Sequence, residues 1–418
     1  MHSQRSGVVG AAFAFIACGI QLHAATIHPK WARQFGTDGD DILFDVVVDG
    51  NENSYVVGYS PLVEGSQVQP LLQKYDPAGN LTWSTRLPSS PVSGGAFAVS
   101  LDQGGNVVVG GSAPWQWNDQ HSFLAKFTPT GDLQWERQVN FNSTIEGING
   151  VAVAGDGSIY AAGFSAGDAF LAKWSSEGEH QWLRRIGSTR SDYGTSVGVD
   201  DDGNIIVAGS TEGTLITPVL GERDAFLARF TPMGDRLWLQ QISEPLEGAD
   251  MVVAPNAVYL TGVMGTTLTS NLDSYIAKFN LDGQSEWSKS LGIDGDDFTL
   301  SIALTASEDV FVAGGTSLSD GNREVFLACV GGNGDVRTVD GISDNFGMTI
   351  HSIAIAGNSV WGVGRSVYSD VSPNVGDFDA VVVRLNIPEP STMGLCCILA
   401  GALFTRCIRS SLLTVPKR

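Results

Sequence analysis

Four groups of residues have the types and spacing to do chemistry. Gly163-Phe164-Ser165-Ala166-Gly167 spells G-x-S-x-G, the spacing of a nucleophile elbow. That chemistry needs a strand–turn–helix bend and a base held in place by a third group. Asp38-Gly39-Asp40-Asp41 and Asp294-Gly295-Asp296-Asp297 are near-copies that crowd carboxylates, as calcium requires. Lys74, Lys126, Lys173, Arg229, Lys278 and Arg384 recur once per fifty or so residues, like a ring of cations. Ala113-Pro114-Trp115-Gln116-Trp117-Asn118 sets two aromatic side chains close together, a platform for a sugar ring or a protein partner.

Most of these groups belong to one repeated phrase. Lys74-Tyr75-Asp76-Pro77-Ala78-Gly79-Asn80-Leu81-Thr82-Trp83 is its first full copy. It returns at 126–135, 173–182, 229–238 and 278–287. A sixth copy carries Cys329 for the basic residue and Thr338 for the Trp, and a seventh stops at Asn386. An orphan Trp31 opens the series. Each unit holds four strand signals separated by Gly, Asn, Asp and Pro turns. A period near fifty with four strands per unit means a β-propeller, one blade per unit.

The fold expected is therefore all-β, a seven-bladed propeller over 26–387 with four antiparallel strands per blade. Trp31-Ala32-Arg33-Gln34-Phe35-Gly36 supplies the fourth strand that the seventh blade lacks, which closes the ring and removes an open edge. The second strands end in a shared Gly, as in Tyr55-Val56-Val57-Gly58 and Val107-Val108-Val109-Gly110, which permits a bulge or a close backbone approach.

The repeat lowers the standing of the motifs inside it. Gly163 to Gly167 is the end of a second strand, with no helix to follow. The recurring Asp and Asn residues bond their own backbone in turns, so turn formation outranks calcium at Asp38, Asp40, Asp41, Asp294, Asp296 and Asp297. The basic ring reads as blade-to-blade salt bridges or as snorkelling surface residues. Asp41 and Asp297 remain the acids for any acid–base chemistry in the channel, but repeat copies are poor catalysts because catalysis breaks symmetry. His28, His121, His180 and His351 have no ligand spacing. Neither catalytic nor cofactor-binding residues are assigned.

Composition agrees with an exported, cored chain. The 418 residues carry 51 Gly, 43% apolar and 17% charged residues, and a net charge of −21. So acidic a surface repels nucleic acid and anionic membrane. Residues 1–24 read as a signal peptide, with Arg5 before an apolar run and a cut after Ala24. Phe15-Ile16-Ala17-Cys18 fits a lipoprotein box less well. Of five Cys only Cys329 falls in the body, on a strand, where it reads as an inert apolar residue.

The phrase resembles the SBBP-type repeat of exported bacterial seven-bladed propellers. The G-x-x-x-W element is also similar to the docking motif of quinoprotein dehydrogenases, whose vicinal disulfide and eighth blade are absent from this body. At 388–418, Pro388-Glu389-Pro390, an apolar run to Phe404, and Arg406 and Arg409 resemble a PEP-CTERM sorting tail. That resemblance implies an exosortase-type partner, a transient hold in the inner membrane, cleavage near the Pro-Glu-Pro, and a link to exopolysaccharide. The twelve-residue apolar run is shorter than the roughly twenty needed to span. Together these point to a monomeric, non-enzymatic surface or matrix protein that binds exopolysaccharide or another surface protein. The alternative is a propeller enzyme, either a quinone-dependent dehydrogenase or a polysaccharide hydrolase or lyase.

Overall fold

A computed structural model describes residues 29–387, except 62–67, 88–93, 117–118, 142, 144, 220–221, 266–271, 292–295, 318–322, 343–347 and 367–377. The segments expected to be a signal peptide (1–24) and a sorting tail (388–418, with Pro388, Glu389, Pro390, Arg406 and Arg409) lie outside the described residues, as do Trp117 and Asp294. Every regular element among the described residues is a strand.

Blade 1 shows the unit. Ile42–Val48, Ser54–Pro61, Val68–Tyr75 and Leu81–Arg86 pair antiparallel in chain order. The second strand is buried almost throughout, because it packs between blades on both faces. The fourth is exposed or half-buried and forms the outer rim. Six further blades repeat this order. Blades 4 and 5 share one extended segment, Arg236–Ala254, which is the rim strand of one and the inner strand of the next.

Blade 7 is made from both ends of the chain. Met348–Ala356, Ser359–Ser366 and Asp379–Asn386 come from the C-terminal side. Pro29–Phe35 adds antiparallel to the last of these, with Trp31 opposite Arg384 and Phe35 opposite Ala380. The expected closure is present.

The core is interblade. Seven clusters of buried apolar residues each join two neighbouring blades, and together they go round the ring. One joins Val57 and Leu72 of blade 1 to Val107 and Phe123 of blade 2. The last joins Trp361 and Val382 of blade 7 to Leu43 and Val56 of blade 1. No blade buries its own faces alone, so the disc stands or falls as a whole.

Each first strand has a register shift near its start. The second-strand Gly lies opposite it. A Cβ on Gly58 would stand 1.9 Å from the Ile42 carbonyl oxygen, and one on Gly163 the same distance from that of Gly147. The bulge forces the two backbones together, and only Gly tolerates the approach. In blade 2 the residue in this place is Gly111, opposite Ala96, not Gly110. Two adjacent glycines make the equivalent strand Val108-Val109-Gly110-Gly111, a one-residue slip that apolar patterning alone does not reveal.

Candidate functional site

The Gly–Trp phrase is a clamp between blades. Trp83 of blade 1 lies on Gly131 of blade 2, and its Nε1 donates to the Pro129 carbonyl at 3.2 Å. Gly131 has φ 90° and a Cβ there would meet the ring at 2.9 Å, so Gly is required twice over. Trp135 does the same to Ser176, Trp238 to Leu281 and Trp287 to Gly332. Trp31, completing blade 7, grips Pro77 of blade 1.

The basic ring reaches the same carbonyls. Lys74 donates to Pro129, Lys126 to Ser176, Lys278 to Gly332, Arg229 to Leu281 and Arg384 to Pro77. Lys173 donates to Pro232 in the joint from blade 3 to blade 4, where Arg184 also holds Gly234. The ring therefore joins blades as expected, but chiefly through backbone carbonyls rather than salt bridges; the ion pairs of Lys126 with Asp102 and Arg229 with Asp200 stay within one blade.

Blade 6 is the exception, and the clamp explains it. Its neighbour, blade 7, has third and fourth strands from opposite chain ends and so has no turn between them. Among the described residues no turn there offers a carbonyl to a Trp or a Lys, and Thr338 and Cys329 stand in their places. Cys329 is buried, and burial pushes its thiol up to about 12. It is an unreactive core residue. We expect Trp135→Ala to cost about 2–3 kcal/mol, below the 3–5 of a fully buried aromatic. Thr338→Trp should give no gain in thermal unfolding.

Ser165, Asp41 and the turn acids also fall into the scaffold. Ser165 is fully buried and its hydroxyl donates to Glu146. The chain then turns through Ala166 and Gly167 straight into the next strand, so there is no strand–turn–helix elbow. Asp41 does not line the channel. It is fully buried, and its Oδ2 accepts the Thr37 N–H at 2.6 Å and the Thr37 hydroxyl at 2.9 Å, fixing the link between blades 7 and 1. Asp192 treats Ser188 the same way. The turn acids Asp49, Asp102 and Asp200 accept N–H groups of their own turns. Asp38 is exposed and Asp40 half-buried. Asp296 and Asp297 lie on the first strand of blade 6, and Trp115 on the second strand of blade 2. Among the described residues no three His, Cys, Asp or Glu side chains come together for a metal.

One place is left where geometry recurs and residue type does not. The shifts in the first strands set a ring of inserted residues around the channel: Phe44, Phe97, Asn149, Thr195, Leu300 and His351. A cavity of about 400 Å³ lies among them, touched by all seven blades. One arc is aromatic. His351 stacks on Phe44 with ring centres 5.6 Å apart, and Phe97 meets Phe44 edge-on at 5.0 Å. His351 Nδ1 donates to the Leu43 carbonyl at 2.8 Å, and burial pulls the imidazole down to about 4, so the ring is neutral at pH 7. The facing arc is polar, with Asn149 donating to the Gly194 carbonyl.

Behind the inserted residues, two carboxylates stitch blades together. Asp45 accepts the Val99 N–H of blade 2 and the Ser352 hydroxyl of blade 7, both at 2.8 Å. Asp250 of blade 5 accepts the Ile302 N–H of blade 6 at 3.1 Å. Burial pushes Asp45 up to about 7 and raises Asp250 as well. Nothing in the repeat marks these two, because the equivalent residues elsewhere are Ser196, Ser301, Ser352, Ala98 and Gly150.

The raised value sets a sign. The folded state binds the Asp45 proton more tightly than the unfolded state, so this group stabilises most below about pH 4. Its contribution is lost as pH climbs to about 7. Thermal unfolding should show a higher midpoint at pH 5 than at pH 8. Asp45→Asn should flatten that slope, worth a few kcal/mol at most.

Comparison with known proteins matches this architecture. The family model described as SBBP, β-propeller repeat, matches residues 30–60 and 181–216. Each match covers a rim strand and the first two strands of the next blade, which is the clamp and the bulge together. The chain is a seven-bladed β-propeller. Regulatory protein FlaEY of Caulobacter vibrioides is 26% identical over 135 residues, spanning 27% of this propeller but only 14% of that protein. An ulvan lyase of polysaccharide lyase family 25 superposes with a TM-score of 0.54 at 12% identity, covering 85% of this chain and 96% of that one. The WD40 propeller of Doa1 gives 0.52 at 11%, with the same coverages. At such identities the likeness is one of fold.

Proposed function

We propose that this propeller is a non-enzymatic binding protein, exported and held at the cell surface or in the matrix, with the central channel as its ligand seat. The observation that carries this is the inserted ring. Every other recurring residue serves a clamp, a turn or a core, whereas the inserted residue, Phe in blades 1 and 2, changes to Asn, Thr, Leu and His round the ring at a fixed place facing a cavity. A volume near 400 Å³ lies in the usual ligand range of about 300–1,000 Å³. An aromatic arc facing a polar one suits a sugar ring, which has apolar faces and a hydroxyl edge, and this favours an exopolysaccharide as partner.

Export rests on the leader at 1–24. The tail at 388–418 would bring an exosortase-type partner and release at the Pro-Glu-Pro. A glycan array read beside a reducing-end assay tests the function. Retention of a polymer without release of sugar ends supports it; turnover at a steady rate contradicts it.

A further inference from the structure

The channel is sorted by charge as well as by polarity. Among the described residues that line it, only Asp45 and Asp250 are acids, none is Lys or Arg, and His351 is neutral. The two carboxylates belong to blades 1 and 5, on different sides of a seven-membered ring, and the Asp250 charge opposes ionisation of Asp45. Asp45 accepts from Val99, Val46 and Ser352, which uses three of about four acceptor sites on a carboxylate. Two acids facing one cavity without a countercharge favour a cation there and repel an anion. The aromatic arc adds to this, since a ring face attracts an ammonium group.

We propose that the channel seats an amine-bearing sugar residue, with its apolar face on the Phe44 and Phe97 wall, its hydroxyl edge toward Asn149 and Thr195, and its ammonium between Asp45 and Asp250. This rests on the channel being the ligand seat and names the chemistry of what it takes. It makes the site a selector of charge, so that a de-acetylated polymer end is held and its acetylated or acidic counterpart is not.

Binding is then linked to protons. An ammonium group beside Asp45 favours its ionised form, so a proton leaves as the ligand enters near neutral pH. The groups that face Asp45 are Ser352 from blade 7, the Val99 N–H from blade 2, the Val46 N–H of its own strand, the neutral His351 and Asp250 on the same cavity, none of which supplies a compensating positive charge.

The test is calorimetric titration of the full propeller with a β-1,4-linked glucosamine trimer, its N-acetylated form and the equivalent glucose trimer. At pH 7.0 the glucosamine trimer should bind at least about tenfold more tightly than either neutral trimer, a difference of about 1.4 kcal/mol. Its affinity should fall severalfold at pH 5.5, where Asp45 is protonated. Asp250→Asn should remove most of the preference without changing the affinity for the glucose trimer, and Phe44→Ala should weaken all three. Equal binding of the amine and acetylated trimers, or binding of the glucosamine trimer that ignores pH, overturns the charge selection while leaving a sugar-binding propeller intact. Failure of every trimer and every arrayed glycan to bind overturns the functional reading as well. If Asp250→Asn does not fold, the pH dependence of the unaltered protein still decides.

Discussion

A chain lacking residues 26–36 should lose its cooperative thermal transition or aggregate on expression. The deleted strand is the rim of blade 7 and the only link between the chain ends in that sheet. Its loss removes the Trp31 bond to Pro77, the Arg33 bonds to Gly79 and Ala78, the Lys30 bond to Ser359 and the Gln34 bond to Asp379. It also exposes the edge of Asp379–Asn386, whose residues are buried up to Leu385. An apolar, unpaired edge is a template for association. Because each apolar cluster is shared by two blades, loosening one blade loosens its neighbours. The cost is comparable with the ~5–15 kcal/mol that holds a typical domain. Calorimetry on the truncated chain reads the effect; a midpoint equal to that of the full protein would contradict the closure.

Gly163→Ala should be among the most damaging single substitutions in a second strand, at about 3 kcal/mol or more. The added carbon would stand 1.9 Å from the Gly147 carbonyl oxygen and 3.1 Å from the Ile148 Cα. Both are backbone, in a sheet packed on either side, so neither can retreat cheaply. Gly50→Ala is the matched control. A carbon there meets nothing within 4 Å, and its effect should stay within about 0.5 kcal/mol. Equal denaturation midpoints for the two variants would show that the bulge does not force the close approach.

The sequence announced the fold because the scaffold is local and repeated. Trp31, the phrase from Lys74 to Trp83 and its copies carry strand order, blade count and closure in their spacing. The meaning of the breaks was hidden. Thr338 and Cys329 are oddities in the chain, and become intelligible only when blade 7 is seen to lack the turn they would clamp. The shift to Gly111 in blade 2 was hidden too, since either of two glycines satisfies the pattern.

The candidate site was much less legible. A bulge inserts one residue and leaves no compositional trace, so Phe44, Phe97, Asn149, Thr195, Leu300 and His351 share no motif. Asp45 sits in a Val-rich strand and Asp250 in the shared segment of blades 4 and 5, neither beside another acid that would draw notice. The sequence pointed instead to Asp41, which fixes a link, and to Ser165, which bonds Glu146. Clustering and repetition favour residues that build the disc; the residues facing the cavity are those the repeat leaves free to vary.

The most direct test is a hydrogen-exchange footprint of the propeller with its retained glycan. Protection should concentrate on the first strands around Phe44, Phe97, Asn149, Thr195 and His351, and leave the rim strands unchanged. Protection confined to the rim, with the channel strands exchanging as in the free protein, would contradict a ligand seat in the channel.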